Sequence, residues 1–176
     1  MARHDQDKSN MIVELERCMV PASSEERDLL EKIRALTFYQ VPRAPQDRLA
    51  DIQMHPQRCH DNAAQWAKAD ASNGSRLVSG WWRRGDIFLF HSVVLTQSRL
   101  VCVTPHAYPS PLEFAPDPEI EWLDIRGVRS PRRRGQKIPY LVRAHPEDFI
   151  TAAREARQAL LDGADPHDII LPIGSF

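Results

Sequence analysis

The chain has 176 residues, 42% of them hydrophobic and 27% charged, with a formal net charge of −1. Such a composition suits a single folded domain with a sizeable core, and it supplies no global attraction to nucleic acid or an anionic membrane. No apolar run approaches the ~18–20 residues that span a bilayer, so neither a membrane nor a nucleic-acid partner is expected.

The opening segment MARHDQDKSN is polar, lacks the apolar stretch of a secretion signal, and reads as a flexible tail over residues 1–10. Ser23 stands three residues before Glu26, a capping-box spacing. Leu29, Leu30, Ile33 and Leu36 then follow at helical intervals to about Tyr39. Pro42 and Pro45 end that helix and open a loop to Arg58. From Cys59 the residues CHDNAAQWAKA are helix-compatible, and Asn73-Gly74 supplies a stop. Strands are predicted over 76–82, 86–96 and 99–104, the last two joined as a hairpin at Gln97-Ser98. Residues 105–118, rich in proline, read as an ordered loop, and 119–125 as a short strand. The basic stretch 126–137 reads as a solvated loop or a patch for anionic groups. A strand over 138–142 and a helix from Pro146 to Gly163 complete the order, leaving a tail that packs back on the body. The expected fold is α+β, one domain over 1–176, with a catalytic core at 55–142 and a C-terminal helix at 146–163.

Three cysteines, Cys18, Cys59 and Cys102, are odd in number and far apart. They form no disulfide framework and point to a reducing, cytoplasmic setting in which a thiol stays available for chemistry. A thiol attacks as its thiolate, and a helix N-terminus and a nearby imidazole both favour that form. Cys59 opens a helix, and His91 lies on a strand some thirty residues later. With Gln97-Ser98 as a two-residue turn, His91 faces Thr104 and Val93 faces Cys102, which makes Cys102 a same-face diagonal neighbour of His91. An oxyanion would be held by the Cys59 backbone N–H and a side-chain amide, Gln57 before Asn62 or Gln53. Trp81 and His60 are placed at the substrate.

This order, Cys59-His60-Asp61-Asn62, then Gly80-Trp81, then His91-Ser92-Val93-Val94, then Val103-Thr104-Pro105, resembles the papain-like and transglutaminase-like cysteine enzymes. The resemblance covers roughly residues 55–105. It implies a papain-like core, a cysteine-led helix on an antiparallel sheet, with helices added at both ends. It also implies a cofactor-free hydrolase or acyltransferase that works through an acyl-enzyme on a polypeptide, an amide or a thioester. A third polar residue, often aspartate, orients the histidine in these enzymes. Here Cys102 or Thr104 stands at that place, so the chain is a dyad, or borrows His106 or Asp117, or has lost activity.

Two other classes compete. One is a catalytically inactive protein-binding domain on the same scaffold, with the basic stretch and the 105–118 segment as its contact surface. The other is a zinc module built from Cys59, His60, His91 and His106, although no CxxC or HxxxH pair is present. Cys18 and Cys102 also fit as small core residues.

Overall fold

The computed structural model describes the backbone of residues 2–106 and 110–169, with side chains from residue 6 onward. The protein is mixed α and β with antiparallel sheets. No described helix is long and apolar enough to cross a membrane. The chain divides into two compact units, one formed by 1–30, 85–87 and 142–176, the other by 31–84 and 88–141.

In the first unit the expected tail is a helix, α1 (Ala2–Cys18). Leu15 is fully buried and packs with Met11, Ile12, Cys18 and Met19 against Ala153 and Leu160 of α5 (Pro146–Leu161). The polar opening residues hide this apolar stripe, which gathers only from Met11 onward and forms against a partner helix far away in sequence. Helix α2 (Ser24–Arg34) is capped as read, with the Glu26 N–H donating to Ser23 Oγ at 3.1 Å. The Glu26 carboxylate completes no capping box. It takes both ends of the buried Arg143 guanidinium at 2.8 and 2.6 Å, and Arg143 also donates to the Val20 carbonyl at 2.8 Å. Those bonds hold the Glu26 carboxyl below the usual carboxylate range.

In the second unit α2 stops well before Tyr39, and the chain turns into β1 (Tyr39–Val41). A short helix, α3 (Gln46–Asp51), interrupts the expected loop, and α4 (Cys59–Ala69) begins at the cysteine as predicted. Then come β2 (Arg76–Arg84), β3 (Ile87–Leu95) and β4 (Leu100–Val101). Val94 pairs with Val101 and Leu95 with Leu100, the register that a Gln97-Ser98 turn requires. The expected proline-rich loop instead carries β5 (Leu112–Pro116), inserted between β1 and β2. Its prolines stand at or beyond the strand ends, where a missing N–H costs the ladder little. Residues 107–109 lie outside the described residues, as does the tail from residue 170.

The sheet order β1-β5-β2-β3-β4 closes on itself. Past the end of β4, the Cys102 N–H donates to the Pro42 carbonyl and the Ala44 N–H donates to the Cys102 carbonyl, both at 2.9 Å. Arg43 and Cys102 thereby form a parallel bridge. An odd number of alternating strands requires one parallel joint at closure, and this is it. The barrel interior holds Val41, Val93, Cys102, Leu112 and Phe114. On the outer face, Ala63 and Trp66 of α4 pack with Met54, Val94 and Val103.

The basic stretch is not a loop. Residues β6 (Ile120–Ile125), β7 (Val128–Arg133) and β8 (Gln136–Lys137) form a separate three-stranded antiparallel sheet. Its turns are Arg126-Gly127 and Arg134-Gly135, with φ of 56° and 78°, then 49° and 79°. Two consecutive positive φ values define the turn that matches strand twist, and glycine at the second position makes it accessible. The next strand is β9 (Leu141–Arg143), shifted toward the C-terminus of the predicted segment.

Candidate functional site

Helix α4 presents Cys59, Asn62, Ala63 and Trp66 inward. The Asn62 side chain closes a ring with the preceding loop, accepting from the His55 N–H at 3.1 Å and donating to the His55 carbonyl at 2.7 Å. Its amide is therefore occupied in holding the loop, with Thr104 Oγ1 a further 3.5 Å contact. Gln57, the other expected oxyanion donor, is exposed on a left-handed backbone with φ of 64°. Cys59 is only 8% exposed. Burial pushes its thiol up to about 11, against the opposing pull of the Ser92 backbone N–H. The helix N-terminus does not overcome that cost, so the thiol is protonated at neutral pH.

Successive side chains on a strand point to opposite faces, and β3 follows that alternation. Phe90, Ser92 and Val94 face outward toward α4, while His91 and Val93 face into the barrel. The neighbours of His91 are interior groups: Cys102 Sγ at 3.5 Å from Nε2, with the Trp82 ring at 5.4 Å and the Phe114 ring at 6.3 Å. Burial, and then the positive charges of His60, Arg43 and His106, pull His91 down to about 3. The diagonal Cys102–His91 relation read from the register is present, but it is a pairing of neutral groups inside the barrel. Burial likewise raises the Cys102 thiol. Among the described residues the Cys59 thiol meets the Ser92 backbone N–H, whereas His91 Nε2 meets Cys102 Sγ.

A different histidine meets the outer face. The His60 ring stacks on Phe90 at 4.3 Å and meets the edge of Trp122 at 5.2 Å. Its Nδ1 is 2.8 Å from Ser92 Oγ, Ser92 Oγ is 3.0 Å from Ser79 Oγ, and Trp122 Nε1 donates to Ser79 Oγ at 2.9 Å. Indole can only donate. If each hydroxyl passes one proton along, the chain ends on His60 Nδ1 as acceptor and leaves the proton on Nε2. Burial brings His60 down to about 4 against the opposing pull of the Asp61 carboxylate, so the ring is neutral at physiological pH. Ser92 is completely buried and cannot reach a substrate; the network ties α4, β2, β3 and β6 together.

Trp81, expected at the substrate, is also completely buried. Its Nε1 donates to Asp117 Oδ2 at 3.0 Å, and Arg133 Nε donates to the same oxygen at 2.8 Å. Asp117 Oδ1 accepts the Glu119 N–H at 3.1 Å. Asp117 therefore anchors the three-stranded sheet to the barrel and orients no imidazole. His106 lies against Trp82, with ring centres 6.0 Å apart. Among the described residues, no three histidine, cysteine or acidic side chains are placed to share a metal ion.

The surface feature that the basic stretch concealed is the outer face of the three-stranded sheet. Glu121, Leu123 and Ile125 of β6 share it with Val128, Ser130 and Arg132 of β7 and with Lys137 of β8, by the register of the two pairings. Leu123 is 39% exposed, Ile125 42% and Val128 66%. The opposite face carries Trp122, over which Arg129 lies at 4.8 Å, and Arg133. The two Arg-Gly dipeptides were the signal for this hairpin; alternation of apolar and charged residues over 120–133 was the supporting one. No family model, curated protein or solved structure matches the chain.

Proposed function

We propose that this chain is a non-catalytic protein-binding domain that engages an acidic, partly apolar polypeptide through the outer face of β6–β8. The observation that carries the reading is the exposure of Leu123, Ile125 and Val128 together on one rigid sheet face. Arg132 and Lys137 share that face, and Arg126 stands at the adjoining turn. A contiguous apolar patch rimmed by cations is the usual signature of a contact site and has no folding use of its own. The other cations of the segment have partners of their own: Arg129 lies over Trp122, Arg133 pairs with Asp117 and Glu119, and Arg134 pairs with Glu119.

A thiol acyl-transfer enzyme on a papain-like core rests on the order of Cys59 and His91. It requires an imidazole within hydrogen-bond reach of the sulfur and a depressed thiol pKa. The contact of His91 Nε2 with Cys102 and the raised Cys59 thiol weigh against that reading.

The experiment is a selection from a displayed random-peptide library, followed by titration of the enriched peptides. Acidic peptides with spaced aliphatic residues should emerge, bind more weakly as salt rises, and lose binding to L123S/V128S and to R132E/K137E. Enrichment of peptides that ignore those substitutions would sink the reading. Turnover of an activated ester by the wild type and not by Cys59→Ala would replace it with the thiol enzyme.

A further inference from the structure

Strand β6 is a sheet edge, with β7 on one side and no strand on the other among the described residues. Ile125 and Val128 flank a two-residue turn, so they form a hydrogen-bonded pair. Counting back in twos, Leu123 and Glu121 also bond to β7. The N–H and C=O groups of Trp122 and Asp124 therefore point away from the sheet. Ile120 shares that outward direction, but its N–H is taken by the Asp117 carbonyl at 3.2 Å.

Folded proteins blunt such edges with proline, glycine bulges, lysine or very short strands. The other side of this sheet shows the device. Pro131 is opposite Trp122 at a position that asks nothing of its nitrogen toward β6. The nitrogen faces the β8 side instead, where residue 138 would next need a donor. Pairing of β8 accordingly stops at Lys137. Strand β6, six residues reading IEWLDI, contains no proline, glycine, lysine or arginine. One edge is blocked and the other is left open.

We infer that the open edge of β6 pairs antiparallel with β6 of a second copy of this chain, centred on Leu123. In that register Trp122 of one copy exchanges both backbone hydrogen bonds with Asp124 of the other, so the outward groups of both residues are satisfied on both strands. Glu121 lies beside Ile125, and Leu123 lies beside its own counterpart, so no like charges oppose one another. A basic foreign strand is less well suited. The β6 carboxylates already have cross-strand cations within their own sheet, Glu121 opposite Arg132 and Asp124 opposite Arg129. Pairing also places Leu123 and Ile125 of both copies on one continuous face. The inference stands on the edge and does not depend on the peptide-binding reading above.

The test is sedimentation equilibrium of the full chain from low micromolar to near-millimolar concentration, with three variants. Wild type should show a monomer–dimer equilibrium. Asp124→Pro removes an outward N–H and no backbone bond of the β6–β7 ladder, at the loss of the Gly127 N–H to Asp124 Oδ1 bond at the turn, and should weaken dimerisation at least about tenfold. Leu123→Lys sets two ammonium groups face to face at the centre and should do the same, which covers the case that the proline variant unfolds. Leu123→Cys should oxidise rapidly to a covalent dimer, because directly opposed residues of this kind have Cα atoms about 4.5 Å apart; Glu121→Cys should not. A wild-type chain that stays monomeric throughout, or a dimer indifferent to both Asp124→Pro and Leu123→Lys, or cross-linking at Glu121→Cys in preference to Leu123→Cys, overturns the inference.

Discussion

The second unit contains two sheets that treat reactive and sticky groups in opposite ways. The barrel draws its chemistry inward: His91 and Cys102 sit among Val41, Val93, Leu112 and Phe114, neutral and out of reach. The three-stranded sheet buries Trp122 and Arg133 on its inner face and leaves Leu123, Ile125 and Val128 outside. His91 and Cys102 are thus buried, and the segment that looks like a solvated loop presents an exposed apolar face. Residue chemistry alone does not distinguish these cases, because burial decides whether a thiol or imidazole can act.

That contrast can be broken or sharpened at several points. The largest effect is expected at Gly80, in β2 of the barrel wall. A methyl there would overlap the Ala115 carbonyl oxygen and come within 2.8 Å of Phe114 Cζ. Gly80→Ala should cost about 3 kcal/mol or more by urea denaturation, since backbone cannot yield as a side chain can. Asp117→Ala, which leaves Trp81 Nε1 and Arg133 Nε without their acceptor, should cost about 2–4 kcal/mol; a near-neutral result would mean that the sheet is not anchored there. Acid is the next probe. His91 and His60 are held near 3 and 4 when folded, against an ordinary 6.5. Above pH 6.5 both states are neutral and contribute no slope. Below it the unfolded chain takes up protons that the folded chain refuses, so stability should fall between pH 6.5 and 4, by roughly a few kcal/mol in total. His91→Leu should flatten that slope; an unchanged slope would place the titration elsewhere.

Cys59 separates the two views of the site most directly. With its thiol near 11 instead of 9, iodoacetamide should label it about a hundredfold more slowly at neutral pH than free cysteine. Fast labelling at pH 6, lost in His91→Ala, would restore the dyad. The smallest effect belongs to the exposed face. Val128→Ser should change stability by no more than about 0.5 kcal/mol while weakening peptide binding, whereas a large loss of stability would show that the face is core.

The parts of this fold readable in the sequence were those with local causes. The Ser23 cap, the helix opening at Cys59, the Gln97-Ser98 register and the Pro146 helix start each depend on residues a few positions apart. What escaped was set by distant partners. Helix α1 is held by α5, and β5 lies between strands seventy and thirty residues earlier in the chain. The Cys102–His91 neighbourhood follows from the hairpin register and is present, whereas helix order and spacing carry no information about which face of β3 receives α4. Closure of the barrel through Arg43 and Cys102 made the two faces an inside and an outside.

Pro131 has a consequence for assembly size. A strand edge open at both ends of a sheet propagates into a polymer, because each added chain offers a fresh edge. Here the far side is capped by a residue with no N–H to give and by the two-residue β8. Any strand that joins at β6 therefore meets a dead end on the opposite side. If the joining strand is another β6, the two-fold arrangement consumes both open edges at once, and growth is self-limiting.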